Sequence, residues 1–485
     1  MSILCETERE TGKQWAVVGG GMLGLATAWR LAERGESVTL FEAAPQLGGL
    51  TSCWSLGEVT WDRFYHVTLL SDTRLRAILR EIGLEQEIRW VQTRTGFFCN
   101  GRLHSLSSSL DFLRFPPLSL LQKFRLGSTI FYASKLKNWR ALERIPVEAW
   151  LRRLSGKSTY EKIWQPLLKA KLGDAYRRTS AAFIWSYIDR MYKARRSGMK
   201  REMFGYVPGG YQRILRRMSE ALAERGVRIL TSSPVHTIVH DDASDQLQVT
   251  SGLADEKMTR AFDRVITTVP SPIVSRSCPQ LNDDEQARLA TAEYLGVVCT
   301  SLLLDRPLGG YYVTNIIDSW VPLTGVIEMG AIVAPEYLGG NYLVYLPRYL
   351  LANDPGLDEP DESIHERCLT TLERMYPQFA RSQVRAIQTA RARHVMALPT
   401  LKYSEQLPPV VTSVPGLYIL NSAQITKGNL NVNETIEHVE ARLADAIGPN
   451  QRVMPRPALE PAVDPLMEPD MEVASTSTRQ REGSV

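Results

Sequence analysis

Residues 16–43 read AVVGGGMLGLATAWRLAERGESVTLFEA: an apolar run, a glycine-rich turn, an amphipathic stretch, and a second apolar run ending on an acid. The segment from Gln14 to Val18 is apolar after Gln14, the pattern of a parallel strand covered on both faces. The spacing predicts a helix from Met22 to Arg34, closed by Gly35, and a second strand from Ser37 to Phe41. Within this strand, turn and helix, Gly19-x-Gly21-x-x-Gly24 points to a dinucleotide site. Gly19 allows the tight turn, Gly21 lets the backbone approach a pyrophosphate, and Gly24 lets the helix lie close to the sheet. The phosphates then meet the positive end of the helix. Glu42, eighteen residues past Gly24, accepts hydrogen bonds from ribose hydroxyls and repels a 2′-phosphate, which disfavours NADP.

A second glycine pair, Gly48 and Gly49, follows in EAAPQLGGLTSC. Further along come GYVPGGYQRILRRMSEAL, SSPVHTI, FDRVITTVP and ARHVMALPTLKYSEQLPPVVTSVPGLYIL. Taken in this order from about residue 14 to 447, these segments resemble the flavoprotein amine oxidase superfamily. That group includes monoamine oxidases, protoporphyrinogen oxidases and carotenoid desaturases. The resemblance implies an α/β fold in which a Rossmann-like FAD-binding domain is assembled from discontinuous segments. A substrate domain of antiparallel sheet and helices completes it. FAD is then held by Gly19, Gly21, Met22, Leu23 and Gly24 on the first loop, and by Glu42, Gly48, Gly49, Leu50 and Thr51 on the second. Val235 meets the adenine, Asn421 and Ser422 lie near the ribityl chain, and Asn431 and Val432 open a helix toward the pyrimidine edge of the flavin.

The sequence departs from this family at two places. LYILNSAQ sets Asn421 and Ser422 where the family has glycine and an acid, so ribityl contacts lose their charge assistance. The strand LGVVCTSLLLD carries Cys299 and Thr300 and lacks the lysine that amine-oxidising relatives place near the flavin. Simple amine oxidation is therefore less supported than dehydrogenation of a CH–CH or CH–NH bond of a small-molecule substrate. A non-redox flavoenzyme, such as a sugar-nucleotide mutase, and a flavin-binding protein without turnover are the alternatives. His66, in EVTWDRFYHVTLLSD, is the candidate acid or base near neutral pH, and support of the flavin by a packed histidine is the competing role.

The expected division is 14–70, 203–275 and 408–447 for the cofactor domain, and 71–202 and 276–407 for the substrate domain. Residues 72–201 are expected to be mainly helical, residues 292–349 to form an antiparallel sheet, and residues 449–485 to be a disordered tail. A net charge of +4, from 57 basic and 53 acidic residues, gives no footprint for nucleic acid. The six cysteines lack metal-ligand spacing, and MSILCETERETGKQ lacks a secretion signal. Both favour reduced thiols, no metal and a cytoplasmic location. The basic run from Asp189 to Arg201 reads as a solvated face. The stretch from Leu110 to Lys137 mixes apolar residues with Arg and Lys, and a core-facing helix is preferred there over peripheral membrane contact. Nothing in the sequence fixes the oligomeric state.

Overall fold

The computed structural model describes residues 12–195, 203–253, 256–427 and 429–448. The expected tail and the end of the basic run at 196–201 lie outside these residues.

Five parallel strands form the first sheet, in the order Arg228–Leu230, Ser37–Phe41, Gln14–Val18, Arg264–Thr267, Leu417–Ile419. Alternation along the first strand serves two layers. Trp15 and Val17 pack with the helices Met22–Ala32, Gly210–Glu224 and Val432–Ile447. Ala16 and Val18 face the other way, toward the antiparallel sheet Val235–Asp241, Gln246–Ser251, Met258–Phe262 and the helix Ser271–Ser277. Each buried aliphatic side chain contributes about 1.5–3 kcal/mol, which makes this two-sided burial the main force holding the layers together. Leu75, Ile78 and Leu79 of the helix Thr73–Glu81 join the first core, and Val274 and Leu289 join the second.

The second sheet has seven strands, in the order Val384–Ala397, Tyr294–Leu304, Tyr342–Leu351, Gly325–Glu328, Val313–Ile316, Thr95–Cys99, Arg102–Ser105. It is mixed rather than wholly antiparallel, because Val313–Ile316 runs parallel to Thr95–Cys99. The mainly helical expectation for residues 72–201 also fails at Arg89–Gln92, Thr95–Cys99 and Arg102–Ser105. A turn at Asn100-Gly101, both with positive φ (52° and 69°), joins the last two as a hairpin, a pairing that suits the twist of adjoining strands, and Arg89–Gln92 pairs with Met203–Tyr206. Tyr294–Leu304 is buried along its whole length. Its Val297, Cys299 and Leu303 pack against Leu56, Val59 and Trp61 of the hairpin that follows Gly49, which seats this sheet beside the glycine-rich loops.

Helices between residues 109 and 195 form a third core around Trp150, Tyr160, Trp164, Tyr176 and Trp185. The core-facing expectation for Leu110 to Lys137 holds for only one flank. Leu126, Thr129 and Ala133 of helix Leu120–Ala133 are buried, while Leu120 and Phe124 are 75% and 72% exposed and Leu110, Leu113, Leu121 and Phe131 are also exposed. Among the described residues no helix is long and apolar enough to cross a membrane.

Candidate functional site

The carboxyl ends of the parallel strands converge on two glycine loops, the place where open α/β sheets bind ligands. Gly19 has φ 111°, and a Cβ there would lie 2.6 Å from Thr268 Oγ1. The Thr268 hydroxyl donates to the Val18 carbonyl at 2.8 Å, tying the turn to the neighbouring strand. A Cβ on Gly24 would collide with the Gly19 carbonyl oxygen, so helix and turn touch backbone to backbone. The second loop meets the first. Gly48 N donates to Gly20 O at 2.8 Å, and Gly48 and Gly21 form a parallel bridge.

Gly48 and Gly49 both have positive φ (116° and 56°). Thr51 donates through its hydroxyl to Gly48 O at 2.9 Å and so fixes this loop, with Leu50 half-buried beside it. Gly21 differs from its neighbours, because a Cβ there meets nothing nearer than Gly48 O and Gly49 Cα at 4.0 Å. Gly21 also caps the helix without a side-chain hydrogen bond. The N–H groups of Met22, Leu23 and Gly24 in the first turn therefore need acceptors from elsewhere.

Glu42 pins both loops, accepting from Gly20 N at 2.7 Å and from Ala44 N at 2.8 Å. A carboxylate has about four lone-pair sites, so capacity remains for ribose hydroxyls. Ser233 N donates to Glu42 O at 2.8 Å, which brings the strand start at Val235 to the same edge of the site.

Asn421 lies just past the carboxyl end of the strand Leu417–Ile419. Its side chain is buried, accepts from Ala423 N at 3.1 Å and donates to Ser271 Oγ at 3.3 Å. Asn421 thus builds the turn Ser422–Gln424, with one amide hydrogen and one oxygen lone pair of its side chain engaged. Ser422 lines a narrow cavity with Phe183, Ser186, Met396, Ile425 and Asn429. Asn429 Oδ1 accepts from Ser186 at 3.0 Å, but its buried Nδ2 has no partner among the described residues, an orphan that costs about 1–3 kcal/mol unless a ligand accepts from it. Asn431 caps helix Val432–Ile447 by accepting from Glu434 N at 3.0 Å. The open room at Gly21, the uncapped helix start and the orphaned Asn429 amide all fit a bound dinucleotide with its ring at this end.

His66 packs beside Tyr211, with ring centroids 5.0 Å apart. Its Nδ1 faces the Phe64 carbonyl at 3.0 Å, and burial pushes its pKa down to about 4. The ring is therefore neutral at pH 7, with Nε2 available only as an acceptor. Tyr65 OH hydrogen-bonds Tyr349 OH at 3.0 Å. Cys299 is buried in the core that these tyrosines flank, its thiol pushed well up by burial. Thr300 faces away, toward Thr389 Oγ1 at 3.0 Å.

Sequence reasoning missed Lys171, whose Nζ lies 3.1 Å from the centroid of the Tyr349 ring. The signal was its position three and four residues beyond Leu168 and Leu167 on the stripe that begins at Trp164. Lys169, two residues earlier, points to solvent.

A family model described as flavin-containing amine oxidoreductase matches residues 23–424. The zeta-carotene desaturase of Synechocystis sp. is 24% identical over 294 residues, which is 55% of this chain and 59% of that protein. Protoporphyrinogen oxidase 2 of Arabidopsis thaliana is 33% identical over 82 residues, 17% of this chain and 16% of its own length. The match spans about three fifths of the length of these carotene desaturases. A structure of putrescine oxidase bound to putrescine shares the fold, with a TM-score of 0.67 and 17% identity over 90% of this chain and 99% of the other.

Proposed function

The chain belongs to the flavin-containing amine oxidoreductase family, and from that premise we propose that it is an FAD-dependent oxidoreductase that dehydrogenates a CH–CH or CH–NH bond of a small-molecule substrate. The observation that carries the reading is the meeting of Gly21 and Gly48 beside Glu42, with room left only where Gly21 lacks a side chain. When bound, FAD supplies the hydride acceptor.

The chain supplies position and surroundings. Gly19, Gly21, Met22, Leu23 and Gly24 present the first loop and helix start to the pyrophosphate, and Gly48, Gly49, Leu50 and Thr51 close over it. Glu42 takes the ribose hydroxyls, and Val235 borders the adenine. Ser422, Asn431 and Val432 surround the ring end, while His66 accepts through Nε2 and keeps the segment 64–67 in place. In this reading 14–70, 203–275 and 408–447 serve the cofactor, and 71–202 and 276–407 serve the substrate. The half-buried Tyr65, Val67, Tyr349 and Met396 favour a largely apolar substrate, in keeping with the CH–CH alternative.

The test is the visible spectrum of the purified protein, followed by anaerobic mixing with putrescine, protoporphyrinogen or zeta-carotene. A yellow protein that releases FAD and bleaches with one of them is the expected result, and Glu42→Ala weakens FAD retention. A colourless protein that binds NAD sinks the reading. Product formed only after prior reduction, without bleaching, assigns a mutase-like reaction instead.

The exposed face of residues 110–131 supports contact with a lipid surface, through which an apolar substrate would enter. The stretch from Leu110 to Lys137 has one acid, Asp111, which is spent on a capping box. Arg114, Arg125, Lys135 and Lys137 stand exposed around the apolar side chains, the combination that seats an amphipathic helix on anionic lipid. The protein is expected to sediment with vesicles containing phosphatidylglycerol. The double variant Leu120→Glu, Phe124→Glu stays in the supernatant at unchanged stability, since both side chains are exposed. Equal sedimentation of the two proteins overturns this placement.

A further inference from the structure

Beside the half-buried Tyr65, Tyr187 and Tyr349 stands a half-buried amine with no carboxylate partner among the described residues. Lys171 reaches in from helix Gln165–Leu172 and rests on the Tyr349 ring at 3.1 Å. The contact is held by backbone on both sides, because Thr324 Oγ1 donates to Ala170 O at 2.6 Å and accepts from Tyr349 N at 3.3 Å. Helix and strand are thus clamped together one residue from the lysine.

The groups around it are neutral or already committed. Tyr349 and Tyr65 hydrogen-bond each other, and burial raises both phenols, as it does Tyr187 on helix Ala181–Arg195. Burial likewise keeps the Cys299 thiol and the His66 ring uncharged. Arg190, on the same helix as Tyr187, is paired with Asp72 at 3.2 Å. Glu161 and Asp174, on the turns flanking the lysine's own helix, are exposed at the surface. Burial alone pushes the Lys171 amine down to about 7, with no opposing carboxylate among the described residues. A cation removed from water without a partner costs several kcal/mol, and an anion brought by a ligand recovers much of that.

We propose that Lys171 is an anion-recognition group and receives the carboxylate of an otherwise apolar substrate whose body lies along Tyr65, Tyr187 and Tyr349. The assignment rests on the reading of this cluster as the substrate site and names the substrate's chemistry. A single ammonium balances a monoanionic carboxylate, whereas a phosphate monoester carries close to two negative charges near pH 7 and would leave one unbalanced, since Arg190 is already engaged. The aromatic walls supply the apolar surface that fixes the rest of the molecule.

The experiment is titration calorimetry of the purified protein with 4-phenylbutanoate and, as the uncharged control, 4-phenylbutan-1-ol. The acid is expected to bind about tenfold or more tightly than the alcohol, the range of a charge-assisted hydrogen bond. Near pH 8 the binding takes up close to one proton, read from two buffers of different ionisation enthalpy. Lys171→Met abolishes both the preference and the proton uptake. Lys171→Arg keeps the preference without the uptake, because guanidinium stays charged.

An unchanged preference in Lys171→Met overturns the assignment, and so does a wild-type protein that shows neither preference nor uptake. The variants are confirmed as folded by thermal melts, and methionine fills a similar apolar volume. Flavin content, read from the visible spectrum, is scored separately. A colourless protein with a Lys171-dependent preference loses the flavin reading and keeps this one, and a yellow protein without the preference does the reverse.

Discussion

Gly21→Val leaves the chain folded and strips it of its cofactor, whereas Gly24→Ala breaks the structure on which the cofactor site is built. Gly21 has φ −73° and ψ 174°, a conformation open to any residue, and an added Cβ meets no atom nearer than 4.0 Å. Valine is a poorer helix cap than glycine, so stability falls by about 1 kcal/mol. The methyl groups, however, occupy the room between Gly21 and the Gly48–Gly49 loop that a pyrophosphate needs. Affinity for FAD is expected to drop about 100-fold or more, equivalent to about 2.7 kcal/mol.

For Gly24 the added carbon runs into the Gly19 carbonyl and comes within 3.1 Å of Thr268 Oγ1. The helix must lift off the sheet, at a cost of about 3 kcal/mol or more. The measurements are the flavin-to-protein absorbance ratio and urea melts of the stripped proteins. Full flavin occupancy in Gly21→Val would falsify the assignment of the phosphate path to that glycine.

The contrast between these glycines also marks what the sequence reveals. The first βαβ unit is legible because strand burial, the Gly19-x-Gly21-x-x-Gly24 spacing and the stop at Gly35 are all local. The hairpin at Asn100-Gly101 was equally local, but its turn signal lay between long amphipathic stretches and was overridden by them. The exposed flank of helix Leu120–Ala133 was not legible, because apolar residues at helical spacing do not say which face finds a partner. Asn421 turned inward to Ala423 and Ser271, and the Ser271 contact depends on residues 150 positions apart. Lys171 and His66 share a further difficulty. Their residue types are plain in the sequence, but their charge is set by burial that only the assembled layers create.

Burial acts in the same way on Asp62, and the consequence is a pH-dependent penalty that Asp62→Asn should remove. Asp62 is 3% exposed. Its Oδ1 accepts from Tyr211 N at 2.8 Å and from the Cys53 thiol at 3.5 Å, which joins the hairpin Cys53–Asp62 to helix Gly210–Glu224. Desolvation nonetheless pushes its pKa from 3.8 up to about 7. The folded state therefore holds a proton that the unfolded chain has released. Stability from this group is complete below pH 3.8, declines as pH rises, and is lost above about 7, so the chain is weaker on the alkaline side.

The full window corresponds to about 4 kcal/mol as an upper bound. Asparagine keeps the acceptor for Tyr211 N and never ionises. Asp62→Asn is expected to match the parent near pH 4 and to exceed it by a few kcal/mol near pH 8, which appears as a higher melting temperature only at the higher pH. Parallel melting curves for the two proteins across this range would show that Asp62 ionises freely in the folded state and that the junction between the hairpin Cys53–Asp62 and helix Gly210–Glu224 is open to water.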